Sequence, residues 1–417
     1  MAIEKLTINE FDAVSYKKYF VSVILSLTGL GFFLYTQGWF ILSLNGSGLS
    51  MGLSWSIFFT PSLLVLPLFG RLMDSIYAKK TIVICEFAKA FLLLIFIPIL
   101  YYWPYVYLVY ILSSLMGILF AMFAPSIFVV LKSVLSHSHA AKYSYMLEVA
   151  IQIGSAVSIF CSGYIYSSTS FVFTLFLGGL FLIMSGILIC GVNIKSNNMK
   201  VKLNILEEYR SYLKLFADIL TKKTKDRKIY LFGIFHQLPQ NIILVLNIPL
   251  ILYVNDVMKK GPVQYGILDA LIGVAAMFTG LFWARHHKLA QKKVLLVLMP
   301  AVTFIIFLGV LFINPLNLLP YLLFCILGIF LSSSKIQCRA VVLLKTPAHS
   351  MGKITTFYQL ATYLILIFMS FAFTYLLKII RIELIFVIMG LIMLIFSLFI
   401  LLIIKKDIPQ GADSEHI

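Results

Sequence analysis

Long apolar runs alternate with short polar breaks along almost the whole chain of 417 residues. Most runs reach about 18 residues or more, the length that an α-helix needs to cross the hydrocarbon core of a bilayer. A membrane β-barrel would instead show segments of about 10 residues in which polar and apolar side chains alternate. The pattern therefore predicts an all-α membrane protein.

The polar breaks divide the runs into twelve predicted spans, in two sets of six. The first set covers residues 17–43, 51–71, 81–102, 105–131, 143–168 and 170–194. The second set covers residues 229–254, 262–285, 293–313, 318–345, 351–379 and 383–404. We therefore expect an N-terminal six-helix half at 1–194, a linker at 195–228 and a C-terminal six-helix half at 229–417.

The linker is the longest polar segment of the chain, and its middle reads ILEEYRSYLKLFADIL. Apolar side chains such as Ile205, Tyr209 and Leu213 recur there at helical intervals among charges. This spacing predicts a short amphipathic helix that lies on the membrane surface and joins the two halves.

Composition agrees with the hydrophobic pattern, since 61% of the residues are hydrophobic and only 12% are charged. The net charge of +17 does not require a nucleic-acid partner, because most of the 33 lysines and arginines fall in loops on one side. The other side holds only Lys259, Lys260, Lys378 and Arg381. By the positive-inside rule, both termini are expected in the cytoplasm of a bacterial cell, with the chain in its cytoplasmic membrane.

The sequence offers no candidate for enzymatic chemistry. Its five cysteines show no paired spacing, and no nucleophile, base and metal-ligand constellation stands on one membrane face. We therefore expect no catalytic residue, no metal and no cofactor.

Two loops at equivalent places in the halves repeat one pattern. GRLMDSIYAKK stands between spans two and three, and GLFWARHHKLAQKK stands between spans eight and nine. Both pair a glycine with a later lysine doublet, but the second copy has Ala284 where the first has Asp74. A parallel repeat of six spans is typical of transporters whose halves rock about a central site.

The first loop, with Gly70, Asp74, Lys79 and Lys80, resembles the signature loop of the major facilitator superfamily, and the resemblance covers essentially the whole chain. It is greatest to the drug-exporter branch that contains macrolide efflux pumps and bacterial staphyloferrin-type siderophore exporters. The stretches that carry it are NGSGLSMGLSW, FAPSIF and GPVQYGILDA. The resemblance implies a major facilitator fold, alternating access, outward export and proton coupling.

The resemblance also implies roles for these loop residues. Gly70, Asp74, Lys79 and Lys80 would form a conformational latch, in which the Asp74 carboxylate accepts from backbone N–H groups at the start of span eleven. An ordinary aspartate in a tight turn is the alternative. Two departures weaken the case for proton coupling, since span four lacks the arginine of related antiporters and span five lacks their Gly-Pro pattern.

Six charged residues stand out because they lie inside predicted spans, away from the span ends, where a mid-bilayer charge costs about 2.5–3.5 kcal/mol. They are Glu86, Lys89, Glu148, Asp269, Lys335 and Arg339. Glu86 and Lys89 are three residues apart on one helix face, which predicts mutual neutralisation. Asp269 and Glu148 are the first proton-coupling candidates, because a protonatable acid that faces a cavity is what such coupling requires.

Lys335 and Arg339 lie one helical turn apart in span ten and point to one side. Glu148 can balance them as a gate partner, or an anionic substrate can bind them, because arginine recognises carboxylates bidentately and lysine acts as a mobile point charge. A third possibility is that both side chains reach lipid headgroups. Span seven adds polar side chains, and its Pro239 predicts a kink in that helix. The predicted substrate-binding set is Lys335, Arg339, His236, Gln240, Asn247 and Gln37.

The sequence thus predicts a monomeric exporter that moves a small organic molecule, an anionic polycarboxylate siderophore, in exchange for protons across the lipid bilayer. Macrolide or multidrug efflux by the same superfamily is the alternative. A lipid-modifying membrane enzyme and a channel are rivals from other classes, but neither explains the repeat of the signature loop.

Overall fold

The computed structural model describes residues 13–45, 48–72, 78–134, 140–193, 210, 214, 217, 227–286, 289, 292–315, 317–345 and 351–407. Next to several of the gaps, only the backbone is described. Within the predicted surface helix of the linker, the structure describes only Arg210, Lys214 and Ala217, which are helical and exposed.

Twelve helical spans, each long and apolar enough to cross a membrane, occur in the described part of the chain. Spans one to six are Ala13–Asn45, Gly48–Leu72, Ala78–Tyr102, Val106–Val134, Ala140–Ser168 and Phe171–Cys190. Spans seven to twelve are Arg227–Phe235 with Leu238–Leu252, then Pro262–Arg285, Lys293–Gly309, Leu319–Lys345, Met351–Leu376 and Ile382–Asp407. The prediction of an all-α membrane protein with twelve spans is confirmed.

Span seven differs from its prediction as one continuous helix. It is broken at His236 and Gln237, and a new helix starts at Leu238 with Pro239 in its first turn. Proline lacks a backbone N–H and fits the first turn of a helix, where that donor has no intrahelical partner. The sequence pattern indicated a kink here, and the structure has a full break.

The helices pack as two sets of six. In the first set, span one packs on spans five and six, span two on span four, and span three on spans four and six. In the second set, span eight packs on span ten and span nine on spans ten and twelve, while span seven touches spans ten, eleven and twelve.

The two most extensive contacts between the sets join span five with span eight and span two with span eleven. In a parallel six-span repeat, span two corresponds to span eight and span five to span eleven. The two joints are therefore equivalent, as rocking halves require. We call the face where span one begins and span twelve ends the termini face, and the other the opposite face.

Glycines allow the halves to meet closely near the opposite face. A Cβ added at Gly163 of span five would lie 3.4 Å from the Gly266 Cα of span eight and 3.1 Å from the Pro262 carbonyl oxygen. At the second joint, a Cβ added at Gly52 would lie 1.4 Å from the Thr374 Oγ1. Backbone and side chain occupy the space that any larger residue would need.

Inside the first set, Glu86 and Lys89 form the predicted pair. Their Oε1 and Nζ atoms are 2.7 Å apart, and both side chains are 0% exposed. Ser26 of span one donates to the same Glu86 oxygen at 2.8 Å, and the Lys89 Nζ lies 4.1 Å from the Phe123 ring centroid of span four. The pair therefore links three spans of one half.

Candidate functional site

A crevice lies between the two halves, where spans five, eight and ten meet. Its lining residues are Val149, Gln152, Ala276, Gly280, Ser332, Lys335 and Ile336. In this arrangement of the halves its cavity volume is about 10 Å³, room for about one water molecule. Residues of both halves line it, so relative movement of the halves changes its shape.

Lys335 is the cation of this crevice. It lies in the helix Leu319–Lys345 and is only 9% exposed, while Arg339, one turn closer to the termini face, is partly buried. Both residues interact with other groups inside the protein. Lys335 therefore presents its charge to the interface between the halves.

Span ten is held in register by its own small residues. Ser332, Ser333 and Ser334 are all buried, and Ser333 accepts a hydrogen bond from the Trp283 indole N–H of span eight at 3.0 Å. Along the crevice wall, this bond lies about one helical turn from Gly280 and about two turns from Ala276. These three serines thus pack span ten against span eight, and Lys335, the next residue, lines the crevice.

Glu148, the predicted gate and proton-coupling residue, lies in the helix Ala140–Ser168, but its side chain lies outside the described atoms. Its sequence neighbour Val149 and the residue one turn on, Gln152, both line the crevice. The backbone thus places position 148 beside the crevice, and its ion pair with span ten stays a prediction.

A second polar cluster lies nearer the opposite face, around Asp269 of span eight. Asp269 is partly buried and lies within electrostatic range of Tyr35 and Tyr265, whose ring centroids are 5.4 Å apart. The Tyr265 hydroxyl donates to the Asn247 Oδ1 at 2.7 Å, and the Tyr35 hydroxyl donates to the Pro262 carbonyl at 2.6 Å. The cluster combines spans one, seven and eight.

Two predicted residues, Asp269 and Asn247, are thus brought together through Tyr265, which the sequence analysis did not select. Tyr265 precedes Asp269 by four residues and shares its helix face. That spacing was the available signal, but aromatic residues make up 15% of the chain, so the spacing alone was weak.

The polar residues at the break in span seven occupy a different region. The His236 ring is buried, hydrogen-bonds through Nδ1 with the Gly233 carbonyl, and lies 5.5 Å from the Tyr358 ring of span eleven. Gln240 is partly buried, and its Oε1 has no hydrogen-bond partner among the described atoms. No described contact joins either residue to the crevice.

Gln37 belongs to a hydrogen-bonded group within the first half. It is 3% exposed, and its Oε1 accepts from the Ser113 hydroxyl of span four at 2.7 Å. Ser113 also lies 3.1 Å from the Ser54 Oγ of span two. The Gln37 Nε2 has no hydrogen-bond partner within the described part of the chain.

The signature loop is described only in part. Gly70 lies in the last turns of span two, and Asp74 lies outside the described residues. Lys79 donates to the carbonyls of Cys190 and Val192 at 2.8 and 2.7 Å, which caps the C-terminus of span six, and Lys80 is exposed. The latch role of these four residues stays a prediction.

The architecture of the chain resembles that of solved membrane transporters. The crystal structure of the nucleoside transporter NupG is 12% identical, with a TM-score of 0.69 over 94% of this chain and 100% of that chain. The structure of a point mutant of NupG is 13% identical, with a TM-score of 0.70 over 93% and 99% of the two chains. At this identity the likeness concerns the fold alone.

The amino-acid sequence itself matches a known family of proteins. No curated protein matches the chain significantly. The sequence profile described as Major Facilitator Superfamily matches residues 19–370, which is most of the chain. Together with the twelve spans and the two equivalent joints, this match shows that the chain belongs to the major facilitator superfamily of membrane transporters.

Proposed function

We propose that this transporter exports a small organic anion of the polycarboxylate siderophore class by alternating access, in exchange for protons. The observation that carries the proposal is Lys335, a cation with 9% exposure that lines a crevice between the halves. A buried charge in a membrane protein is costly, and its position on a movable interface favours a transported counter-ion.

The chemistry around Lys335 supports a carboxylate ligand. Gln152 and Ser332 line the same crevice and supply hydrogen-bond donors beside the ammonium group. Arg339 follows one turn on, where a guanidinium can take a second carboxylate in a bidentate contact. A polycarboxylate can bind both cations at once, whereas a neutral solute has no carboxylate to offer either of them.

Export and proton coupling depend on the resemblance to the siderophore-exporting branch and on the acids near the site. Asp269 lies between the crevice and the opposite face, on a helix that joins the halves. A proton that binds there from one side and leaves to the other would drive the anion outward. Glu148, next to Val149 of the crevice, is the second carrier that we propose.

The test is export of a radiolabelled polycarboxylate siderophore from cells that express Lys335→Met or Arg339→Met. We expect at least about a tenfold loss for Lys335→Met, because a buried charge-assisted hydrogen bond contributes about 1.5–3 kcal/mol. Lys378→Met removes the same charge from an exposed turn outside the crevice and is the matched control. Export that is unchanged in Lys335→Met contradicts an anion site in this crevice.

Macrolide or multidrug efflux is the second candidate, and one observation favours it. Asp269 lies within electrostatic range of Tyr35 and Tyr265, and the Trp39 ring packs on Tyr265. An acid beside aromatic rings suits an amphipathic cation. A drug-susceptibility panel separates the candidates, because resistance that survives Lys335→Met but not Asp269→Asn indicates a drug pump.

A further inference from the structure

Two helical hairpins expose large hydrophobic side chains at the opposite face. The first hairpin, residues 101–107, joins span three to span four, and the second hairpin, residues 311–315 and 317–322, joins span nine to span ten. In a parallel six-span repeat, span three corresponds to span nine and span four to span ten. The two hairpins therefore stand at equivalent places, one in each half.

The first hairpin consists mostly of aromatic residues. Its exposed rings belong to Tyr101, Tyr102, Trp103, Tyr105 and Tyr107. Consecutive positions on a helix point about 100° apart, so Tyr101 and Tyr102 face different directions. Beyond the turn, Tyr105 and Tyr107 stack on each other with ring centroids 5.3 Å apart. A single flat partner cannot cover rings that point to several sides, whereas a fluid layer around the hairpin can.

The second hairpin exposes aliphatic side chains and one ring. Phe312 and Leu318 are 82% and 83% exposed, and Leu311, Leu319 and Leu322 are exposed as well. Contact of apolar surface with water costs about 25 cal/mol for each Å². Such exposure at equivalent places in both halves indicates that an apolar environment covers the hairpins in the membrane.

Both hairpins continue the lipid-facing surface of the spans that lead into them. Exposed side chains on span three are spaced three, four or seven residues apart, as one face of a helix requires. They are Ile84, Phe87, Phe91, Ile95 and Tyr102. A similar row on span nine consists of Val294, Leu298, Ile305 and Phe312. An exposed apolar row on a membrane span faces lipid, so the lipid contact extends into both hairpins.

Charge separates these hairpins from the other described connections at this face. No charged residue occurs from position 90 to position 131 or from position 294 to position 334, and these segments contain both hairpins. The connection between spans five and six consists of exposed hydroxyl residues at 167–170. The connections after spans seven and eleven carry exposed charges, among them Lys259 and Lys378. The polar connections suit water, and the two hairpins suit the membrane.

We propose that the membrane lipid at the opposite face is the partner of both hairpins, and that each hairpin anchors its half in the interfacial layer of that leaflet. Tyrosine and tryptophan favour this layer, because each combines an apolar ring with a hydrogen-bonding group. In the second hairpin, the exposed Asn314 and Asn317 supply polar groups between Phe312 and Leu318. A lipid layer covers both hairpins at once and requires no second protein.

The tryptophans of the chain make the first hairpin directly measurable. Of the four, Trp103 is 57% exposed, whereas Trp39, Trp55 and Trp283 are at most 6% exposed. The full-length transporter is placed in nanodiscs whose lipids carry bromine on the upper acyl chain, which quenches tryptophan fluorescence from within the bilayer. A second sample in unbrominated nanodiscs receives iodide, which quenches from water. The difference between the wild type and Trp103→Phe isolates the fluorescence of Trp103.

We expect brominated lipid to remove most of the Trp103 fluorescence, and more of it than iodide removes. Stronger quenching by iodide than by brominated lipid would place the first hairpin in water and overturn the proposal. Quenching by neither would show that protein, such as a second copy of the chain, covers the hairpin, and this result also overturns it.

The second hairpin is tested by Phe312→Trp in the Trp103→Phe background, with Thr169→Trp in the same background as the matched control. Thr169 is exposed on the polar connection between spans five and six. We expect brominated lipid to quench the new tryptophan at 312 more than iodide does, and the reverse at 169. If the two variants respond alike, the second hairpin is not a lipid anchor. No substrate is present in these measurements, so their result is independent of the proposed function.

Discussion

At the scale of single residues, the buried Glu86–Lys89 pair shows what spacing can and cannot predict. Three residues of separation predicted that the two side chains neutralise each other, and they do so at 2.7 Å. The spacing could not predict Ser26 and Phe123, because these partners come from other spans. The same limit applies to Asp269, whose environment depends on tyrosines of spans one and eight.

Breaking the Glu86–Lys89 pair should destabilise the first half strongly. Glu86→Gln leaves Lys89 charged and 0% exposed, and removal of one partner from a buried pair costs about 3–5 kcal/mol. The double variant Glu86→Met with Lys89→Met should recover most of that loss, because it replaces both charges with apolar side chains of similar volume. Thermal unfolding in detergent measures both effects.

The matched control is Glu383→Gln, which breaks the exposed pair with Arg381. Because the Arg381 side chain is 80% exposed, this change should cost at most about 1 kcal/mol. If Glu86→Gln does not unfold at a lower temperature than Glu383→Gln, the buried pair does not hold the three spans together.

At the scale of helices, the hydrophobic pattern located the spans well, and it was least accurate at span seven. The predicted range of span eight, 262–285, coincides with the observed helix. In span seven the apolar run continues through Pro239, so periodicity indicated one kinked helix. Whether a proline kinks or breaks a helix depends on what receives the freed polar groups, and neighbouring spans decide that.

The contact between spans five and eight leads to a prediction about conformation. A valine at Gly163 places a Cβ 3.1 Å from the Pro262 carbonyl and 3.4 Å from the Gly266 Cα, so the helices must separate. We expect Gly163→Val to shift the transporter away from the closed arrangement at the opposite face. The distance between spin labels at positions 168 and 259, in a background without the five native cysteines, should then increase.

Gly261→Val is the matched control for this variant. A Cβ at Gly261 meets nothing within 4 Å, although the residue is only two positions from the spin label at 259. An identical distance distribution in Gly163→Val and in the control would show that the glycine contact does not set the closed arrangement.

At the scale of the whole molecule, the repeat of the signature loop predicted two equivalent halves, and the two equivalent joints agree with it. The binding site was less predictable. Hydrophobic patterning indicates which helices exist, but the residues that line an interface between halves depend on helix rotation and register. Lys335 is buried at the interface between the halves, and its binding role stays a prediction. The hydrogen bonds of Tyr265 and Trp283 depend on how the helices are arranged in three dimensions.

The hydrogen bond of Tyr35 joins the halves at the opposite face and should influence the balance between conformations. The Tyr35 hydroxyl of span one donates to the Pro262 carbonyl of span eight at 2.6 Å, a contact that exists only while the halves meet there. Tyr35→Phe removes a bond of about 0.5–1.5 kcal/mol, so the closed population should fall about two- to tenfold relative to the open one. The spin-label pair at 168 and 259 measures that ratio. Tyr166→Phe, which alters the neighbouring ring without touching the Pro262 carbonyl, should leave it unchanged, and equal shifts in both variants would assign the effect to ring packing instead.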